Sequence, residues 1–440
     1  MEKTKSKRLE VTFESWIDVS GKPSREKTDK KTKGDGTKTR SSSKGLVWEF
    51  IAIATIPMVL VFGNSMLIPI LPDMVRELGI SEFQSSLLVT LFSVTAGLFI
   101  PVAGFLSDRL GRKAIIIPSL IVYGAAGILA GFGSIWKSYA VIIGARAIQG
   151  LGAAGTSSIA MALVGDLYKG GTESRALGLM EASNGTGKVL SPILGSLLAL
   201  IIWYAVFFAF PVFCLISLVA VIWFIKEPKT ENKNKQALKS YISTVWNILK
   251  QKGRWLVTSF FTGSLALFIL FGVLFYLSNT LEDAPYNIDG VLKGAILAIP
   301  LLGMVVTSYT TGALIKKNGT LMRWLMNIGL ALMVVSLAIL IFYHRNVYVL
   351  VGLLTISSIG TGLILPCLNT MITGSVEKSQ RGMITSLYNS LRFLGVAAGP
   401  PLFEMLMNIS TSVVFITVSA LALIALGLVF FLIKPEGKVA

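Results

Sequence analysis

The chain has 440 residues, 53% hydrophobic and only 14% charged, with a formal net charge of +17. A soluble domain carries about a quarter charged residues, so this composition excludes an ordinary water-soluble globule and puts most of the chain against lipid. The basic excess sits in the tail before Leu46 and in connectors between apolar runs, which suits an anionic membrane face and argues against nucleic-acid binding.

Residues 1–45 read as a disordered basic tail rich in Lys, Ser, Thr and Gly. Within it, "LEVTFESWIDV" (9–19) is either a short docking element or part of the mobile tail. No short apolar stretch with a cleavage site opens the chain, so no removable signal peptide is expected.

Apolar runs of about 20 residues then recur, each long enough to cross about 30 Å of hydrocarbon as a helix. They lie near 47–71, 84–107, 114–134, 139–164, 174–201, 205–226, 256–281, 291–315, 321–343, 347–373, 382–407 and 412–433. The reading is an all-α membrane protein with twelve transmembrane helices: a six-helix bundle over 46–226, a linker over 227–255, a second six-helix bundle over 256–434 and a short C-terminus, 435–440. In the linker Leu238, Ile242, Val245 and Leu249 recur at helical spacing, which predicts an amphipathic helix on the membrane surface. Cys214 and Cys367 each sit inside an apolar run and His344 is the one histidine. That pattern excludes a disulfide framework and a Cys/His metal cluster.

With twelve spans the basic connectors (the tail, 108–113, the linker, 316–323 and 377–381) fall on one side, and 281–290 on the other is poorer in Lys and Arg. The positive-inside rule places both termini in the cytoplasm. The halves also align: "GFLSDRLG" (104–111) with "GALIKKNG" (312–319), Gly187 with Gly395 and Pro192 with Pro400, all at one offset of 208 residues. Repeated halves are common in secondary transporters, with the substrate site between them near the midplane.

Ionisable groups at membrane depth cost roughly 2.5–3.5 kcal/mol each even on lenient scales and are functional candidates by default. Four stand out: Arg146, Glu181, Lys188 and Arg392. Glu49 and Glu404 lie nearer helix ends. The triplet Gly185-Thr186-Gly187 before Lys188 hints at a phosphate-binding loop, but that motif needs Gly and Ser or Thr where this chain has Ala182 and Val189. Lys188 is therefore a membrane lysine, either a pathway group or a structural one. Glu181 lies seven residues before it on the same face, about 10 Å along the axis. We expect both to line a central cavity and exchange protons as substrate binds. Asn64, Gln149 and Arg392 are the other cavity candidates, and Phe92, Trp203, Tyr276 and Phe393 are aromatics available to a greasy pocket.

"GFLSDRLGRK" (104–113), "RAIQGLGAAG" (146–155), "NSMLIPILP" (64–72) and the Gly178, Gly187, Ser191, Pro192, Gly195, Ser196 series resemble the signatures of the major facilitator superfamily, specifically its twelve-helix drug/proton antiporters. Ser191 and Ser196 stand where that family has glycines. The resemblance covers about residues 46–435. It implies the major facilitator fold, a conformational latch at Gly104, Asp108, Arg109, Gly111 and Arg112, and a seal and hinge at Gly178, Gly187, Ser191, Pro192 and Gly195. It also implies that Arg146 relays protons or holds water. The implied activity is proton-coupled export of drugs or amphiphilic molecules across the plasma membrane by a monomer, with a proton gradient in place of any cofactor. Small faces on a helix let backbones pack closely, and Pro192 permits a bend. No acid occupies the middle of the first span, where Asn64 stands, nor the cores of the seventh and tenth. A basic cavity of this kind equally suits a dedicated exporter of an anionic metabolite such as a siderophore, or a lipid flippase. A membrane enzyme lacks a catalytic constellation here, and a non-transporting scaffold is the remaining reading.

Overall fold

The computed structural model describes residues 43–168, 171–227, 253–315, 318–374 and 378–434, with short pieces at 243, 246–248 and 250–251. The tail up to residue 42, the Leu238, Ile242, Val245, Leu249 stripe and residues 435–440 lie outside the described residues.

The first span is built of α1 (Ser43–Ser65), a 3-10 turn (Ile68–Ile70) and α2 (Leu71–Leu78). Pro69 lacks the N–H that would bond the Ser65 carbonyl, so the α-helix yields to a tighter turn there. Gly79, with φ of +64°, closes α2 in the left-handed region. Helix α3 (Glu82–Leu110) starts with a reciprocal Ser81–Gln84 capping box. Helix α4 (Arg112–Ile135) is capped from a distance: the Glu227 carboxylate accepts from the backbone N–H groups of Arg112 at 2.5 Å and Lys113 at 3.1 Å. The fourth span is α5 (Tyr139–Ala154) followed by α6 (Ser157–Leu167), broken at Gly155 and Thr156. At Gly155 a Cβ would lie 1.9 Å from the Ser119 hydroxyl oxygen of α4.

The remaining helices are α7 (Gly171–Ala199), α8 (Ala205–Phe224), α9 (Gly253–Glu282), α10 (Gly290–Ile315), α11 (Gly319–Tyr343), α12 (Val347–Gly374), α13 (Lys378–Met407) and α14 (Thr411–Leu432). Among the described residues, ten spans are long and apolar enough to cross a membrane. The other two long helices, α7 and α13, have 29 and 30 residues, about 45 Å of helix, but are more polar. They are the fifth and eleventh spans, equivalent under the sequence repeat, and carry Lys188 and Arg392. With them the count is twelve.

Spans differ in how much of their apolar length the protein itself covers. The seventh, first and fourth are 89%, 72% and 67% buried, against 33–44% for the other seven. The former line the interior and the latter face lipid, where Phe342, Trp223 and Leu215 stand exposed. Exposed Trp48, Trp223 and Trp324 mark one end of the bundle and Trp136, Tyr343 and Tyr348 the other, as amphipathic rings do at the two interfaces.

The repeat is physical as well as textual. Lys113, at the start of the third span, donates to the carbonyl of Ile222 in the sixth at 2.9 Å. Arg323, near the start of the ninth, donates to the carbonyl of Phe430 in the twelfth at 2.7 Å. Ile222 and Phe430 are separated by the same 208 residues as the sequence motifs. Between the halves the main contacts are α3 against α13 and α7 against α10.

Candidate functional site

A cavity of about 390 Å³ lies between the halves. The first half contributes Asn64, Ser157, Glu181, Asn184 and Lys188, and the second Asn369, Thr373, Tyr388, Asn389 and Arg392. Leu60, Met161, Leu267, Phe271 and Phe393 supply apolar wall. Of the four aromatics singled out in the sequence, Phe393 alone lines it. Phe92 lies fully buried under the Arg146 guanidinium, 4.4 Å from its ring centroid, and Tyr276 packs edge-on against Phe415.

The cavity follows from how α7 packs. Away from the 104–113 loop, α7 is tight. A Cβ at Gly195 would lie 2.2 Å from the Met66 carbonyl oxygen, and one at Gly294 of α10 would lie 2.6 Å from the Pro192 carbonyl oxygen. Only hydrogen fits where backbones approach so closely. The Ser191 hydroxyl, fully buried, donates back to the Gly187 carbonyl. Nearer the loop end, a Cβ at Gly178 would meet nothing within 4 Å. The expected small-residue seal is thus split. Gly187, Ser191, Pro192 and Gly195 belong to the packed part, whereas Gly178 is exposed and borders open space.

Lys188 is flanked by two charges, Glu181 and Arg392. The Arg392 guanidinium sits 5.3 Å from the Tyr388 ring centroid, contacts Asn389 at 3.4 Å through Nη1, and leaves Nε without a protein partner. An unpaired guanidinium N–H beside an ammonium group is an arrangement that accepts an anionic oxygen. Because the cations come from opposite halves, one ligand touching both would bridge them.

Gln149, expected in the cavity, stands behind it beside Arg146, for which the resemblance implied a proton-relay or water-holding role. Both are fully buried and neither lines the cavity. Arg146 donates to the Leu88 carbonyl at 3.0 Å, to Gln149 Oε1 at 2.5 Å and to Asn64 Oδ1 at 3.0 Å. Asn64 in turn donates to Ser93 at 2.8 Å. A guanidinium whose fork is filled by three acceptors holds the fourth span to the first and second; it acts one layer behind the cavity, with Asn64 between. Its spacing in the sequence does not distinguish these positions, since both faces of α5 are apolar.

The 104–113 loop likewise divides. Arg112 pairs with Asp108 at 2.6 Å and Asp166 at 3.0 Å, and donates to Ser107 at 2.7 Å. Gly111, with φ of +103°, lets the loop close on Glu227. These contacts stay inside the first half. Gly104 instead meets the other half, where a Cβ would lie 2.9 Å from Ser386 Oγ on α13. Arg109 stacks over Phe105, 4.3 Å from its centroid.

A second ionic cluster, unforeseen in the sequence, sits at the opposite end. Lys293, 2% exposed, pairs with Glu282 at 2.5 Å. Glu282 also pairs with Arg76, which reaches Asp73 as well. The cluster ties α2 of the first half to α9 and α10 of the second. Its trace in the sequence is an acid in the last turn of one apolar run and a lysine in the first turn of the next.

The comparisons agree with this architecture. The Major Facilitator Superfamily model matches residues 53–322 and 283–440. The chain is 44% identical over 390 residues to the bacillibactin exporter of Bacillus subtilis (strain 168), covering 88% of this chain and 96% of that protein. It is 29% identical over 363 residues to the multidrug efflux protein YfmO of the same strain, covering 82% and 86%. The crystal structure of the human organic anion transporter MFSD10 (TETRAN) superposes with a TM-score of 0.69 at 20% identity, over 87% of this chain and 99% of that one, a likeness of fold. This multi-pass membrane protein belongs to the Major Facilitator Superfamily.

Proposed function

We propose that the protein is a proton-coupled exporter, working by alternating access, whose preferred cargo is an oxygen-rich anionic amphiphile of the siderophore class. The observation that carries the reading is the meeting of Lys188 and Arg392 in one cavity, with the Arg392 Nε free and Asn184, Asn369 and Asn389 around them. Carboxylate or catecholate oxygens would pair with the two cations while the apolar wall takes the rest of the molecule. The similarity to a bacillibactin exporter supports the same cargo class. The basic 104–113 end faces the cytoplasm of a plasma-membrane protein on charge grounds, and an exporter loads its cavity from that side. Glu181, beside Lys188, is the group that takes up a proton as the anion leaves, which resets the site.

Multidrug efflux is the second reading, favoured by the apolar wall and by the similarity to YfmO. Transport in proteoliposomes under an imposed pH gradient separates the two. Anionic catecholate amphiphiles should move fastest, and only with the gradient. Preference for lipophilic cations would transfer the protein to the second reading, and gradient-independent movement would remove proton coupling.

A further inference from the structure

At the end opposite the 104–113 loop, α13 carries Glu404, a carboxyl only 5% exposed. Its Oε1 accepts from Asn408 Nδ2 at 3.1 Å, and its Oε2, equally buried, has no donor. What stands within hydrogen-bonding reach is another carboxyl, Glu82, at the first residue of α3. Glu82 is exposed and its Oε2 accepts from Asn279 of α9 at 3.2 Å. Each acid thus has one amide donor, and the remaining facing oxygens are both acceptors. Two ionised carboxylates in such contact repel; a single proton between them turns repulsion into a short hydrogen bond.

The pair joins the two halves, since α3 belongs to the first and α13 to the second. Among the described residues no ion pair includes Glu82 or Glu404, and the exposed Lys137 stands 3.9 Å from Glu77 instead. Asp73, Arg76, Glu282 and Lys293 are engaged with one another. Helices α12 and α14, which also pack on α13, contain no Asp, Glu, Lys, Arg or His. The Tyr276 phenol ring of α9 packs on Phe415 instead.

We propose that Glu82 and Glu404 form a proton-binding site in which one solvent-derived proton, held between the two carboxyls, allows α3 and α13 to close this end of the molecule. Exposed Glu82 is the entry point and buried Glu404 the acceptor. When the proton returns to solvent on the same side, the paired negative charges push the halves apart. No covalent bond other than the O–H is made or broken. Protonation at this end thereby favours the state that is open at the other, the direction an antiporter needs.

The test uses the full chain in lipid nanodiscs, with Cys214 and Cys367 replaced by alanine and spin labels placed by I201C and Y348C. These positions, 79% and 86% exposed, flank this end from opposite halves. Without any cargo, the parent should show a longer distance population that grows as pH rises. In E404Q the short distance should persist at every pH, and the protonated-carboxyl infrared band of the parent should be lost. E82Q, a substitution at an exposed helix start, should give the same short distance and serves alone if E404Q does not fold. A parent whose distances ignore pH, or glutamine variants that keep the parent's pH response, would overturn the proposal. Neither result depends on what the protein carries, so the export reading stands or falls separately.

Discussion

Lys188 on α7 and Arg392 on α13 face the same cavity from opposite halves of the protein, with Glu181 the one acid beside them among the described residues. The surplus of positive charge at membrane depth is costly unless water or a ligand meets it. The arrangement therefore links cargo binding to the relative position of the halves. Removing either cation should weaken an anionic cargo by about 1.5–3 kcal/mol, a roughly 10- to 100-fold loss of transport efficiency. K188A and R392A should both show it in proteoliposomes, K188R much less, and a neutral cargo should be nearly indifferent. Equal losses for anionic and neutral cargo would sink this assignment.

Arg146 predicts the reverse pattern. Its fork satisfies the Leu88 carbonyl, Gln149 and Asn64 at once, and a lysine offers a single point donor instead. R146K should destabilise the protein by about 2–3 kcal/mol and depress transport of every cargo in proportion. The measurement is thermal melting in detergent beside a cargo panel. A change of cargo preference with unchanged melting would overturn this structural role for Arg146.

The cluster at the opposite end makes an asymmetric prediction. Glu282 holds both Lys293 and Arg76, so K293A leaves it one partner, whereas E282A strands a lysine that is 2% exposed. Breaking a buried pair by removing one partner costs about 3–5 kcal/mol. E282A should therefore lower the melting temperature clearly more than K293A. Equal melting shifts would mean that Lys293 finds another acceptor.

Two glycines of one sequence series should respond in opposite ways. At Gly195 a methyl group would run into the Met66 backbone, while at Gly178 it would meet nothing within 4 Å. G195A should cost about 1–3 kcal/mol through overpacking and lower the yield of folded protein. G178A should melt slightly above the parent, since alanine favours a helix interior over glycine by up to about 1 kcal/mol. A stable G195A would show that α1 can shift away without loss.

Much of the architecture was legible before any coordinates. The twelve apolar runs match the helices to within a few residues, apart from the first span, whose helix α2 carries it on to Leu78. Hydropathy reads length and lipid contact, and both are local properties. The breaks inside the first and fourth spans were not marked, although Pro69 and Gly155 stand at them. A proline or glycine in an apolar helix is compatible with either a bend or a continuous run, and neighbouring helices decide which. Lys188, Glu181 and Arg392, singled out for their cost, and Asn64, a cavity candidate, stand on the cavity wall. Arg146, singled out for the same cost, and Gln149, a cavity candidate, sit behind it.

The sequence alone determined that this chain crosses a membrane many times in two related halves, and which few charged residues are carried there at a cost. Composition, span length and a constant repeat offset are sufficient for that, because each residue's preference for lipid or water is its own. Tertiary structure decided the pairings: which cation faces open space and which is locked by three acceptors, where α7 is sealed and where it parts from its neighbours, and that Glu82 meets Glu404 across more than three hundred residues of chain. Those outcomes depend on the rotation and spacing of helices distant in sequence, which close packing fixes and no local pattern encodes.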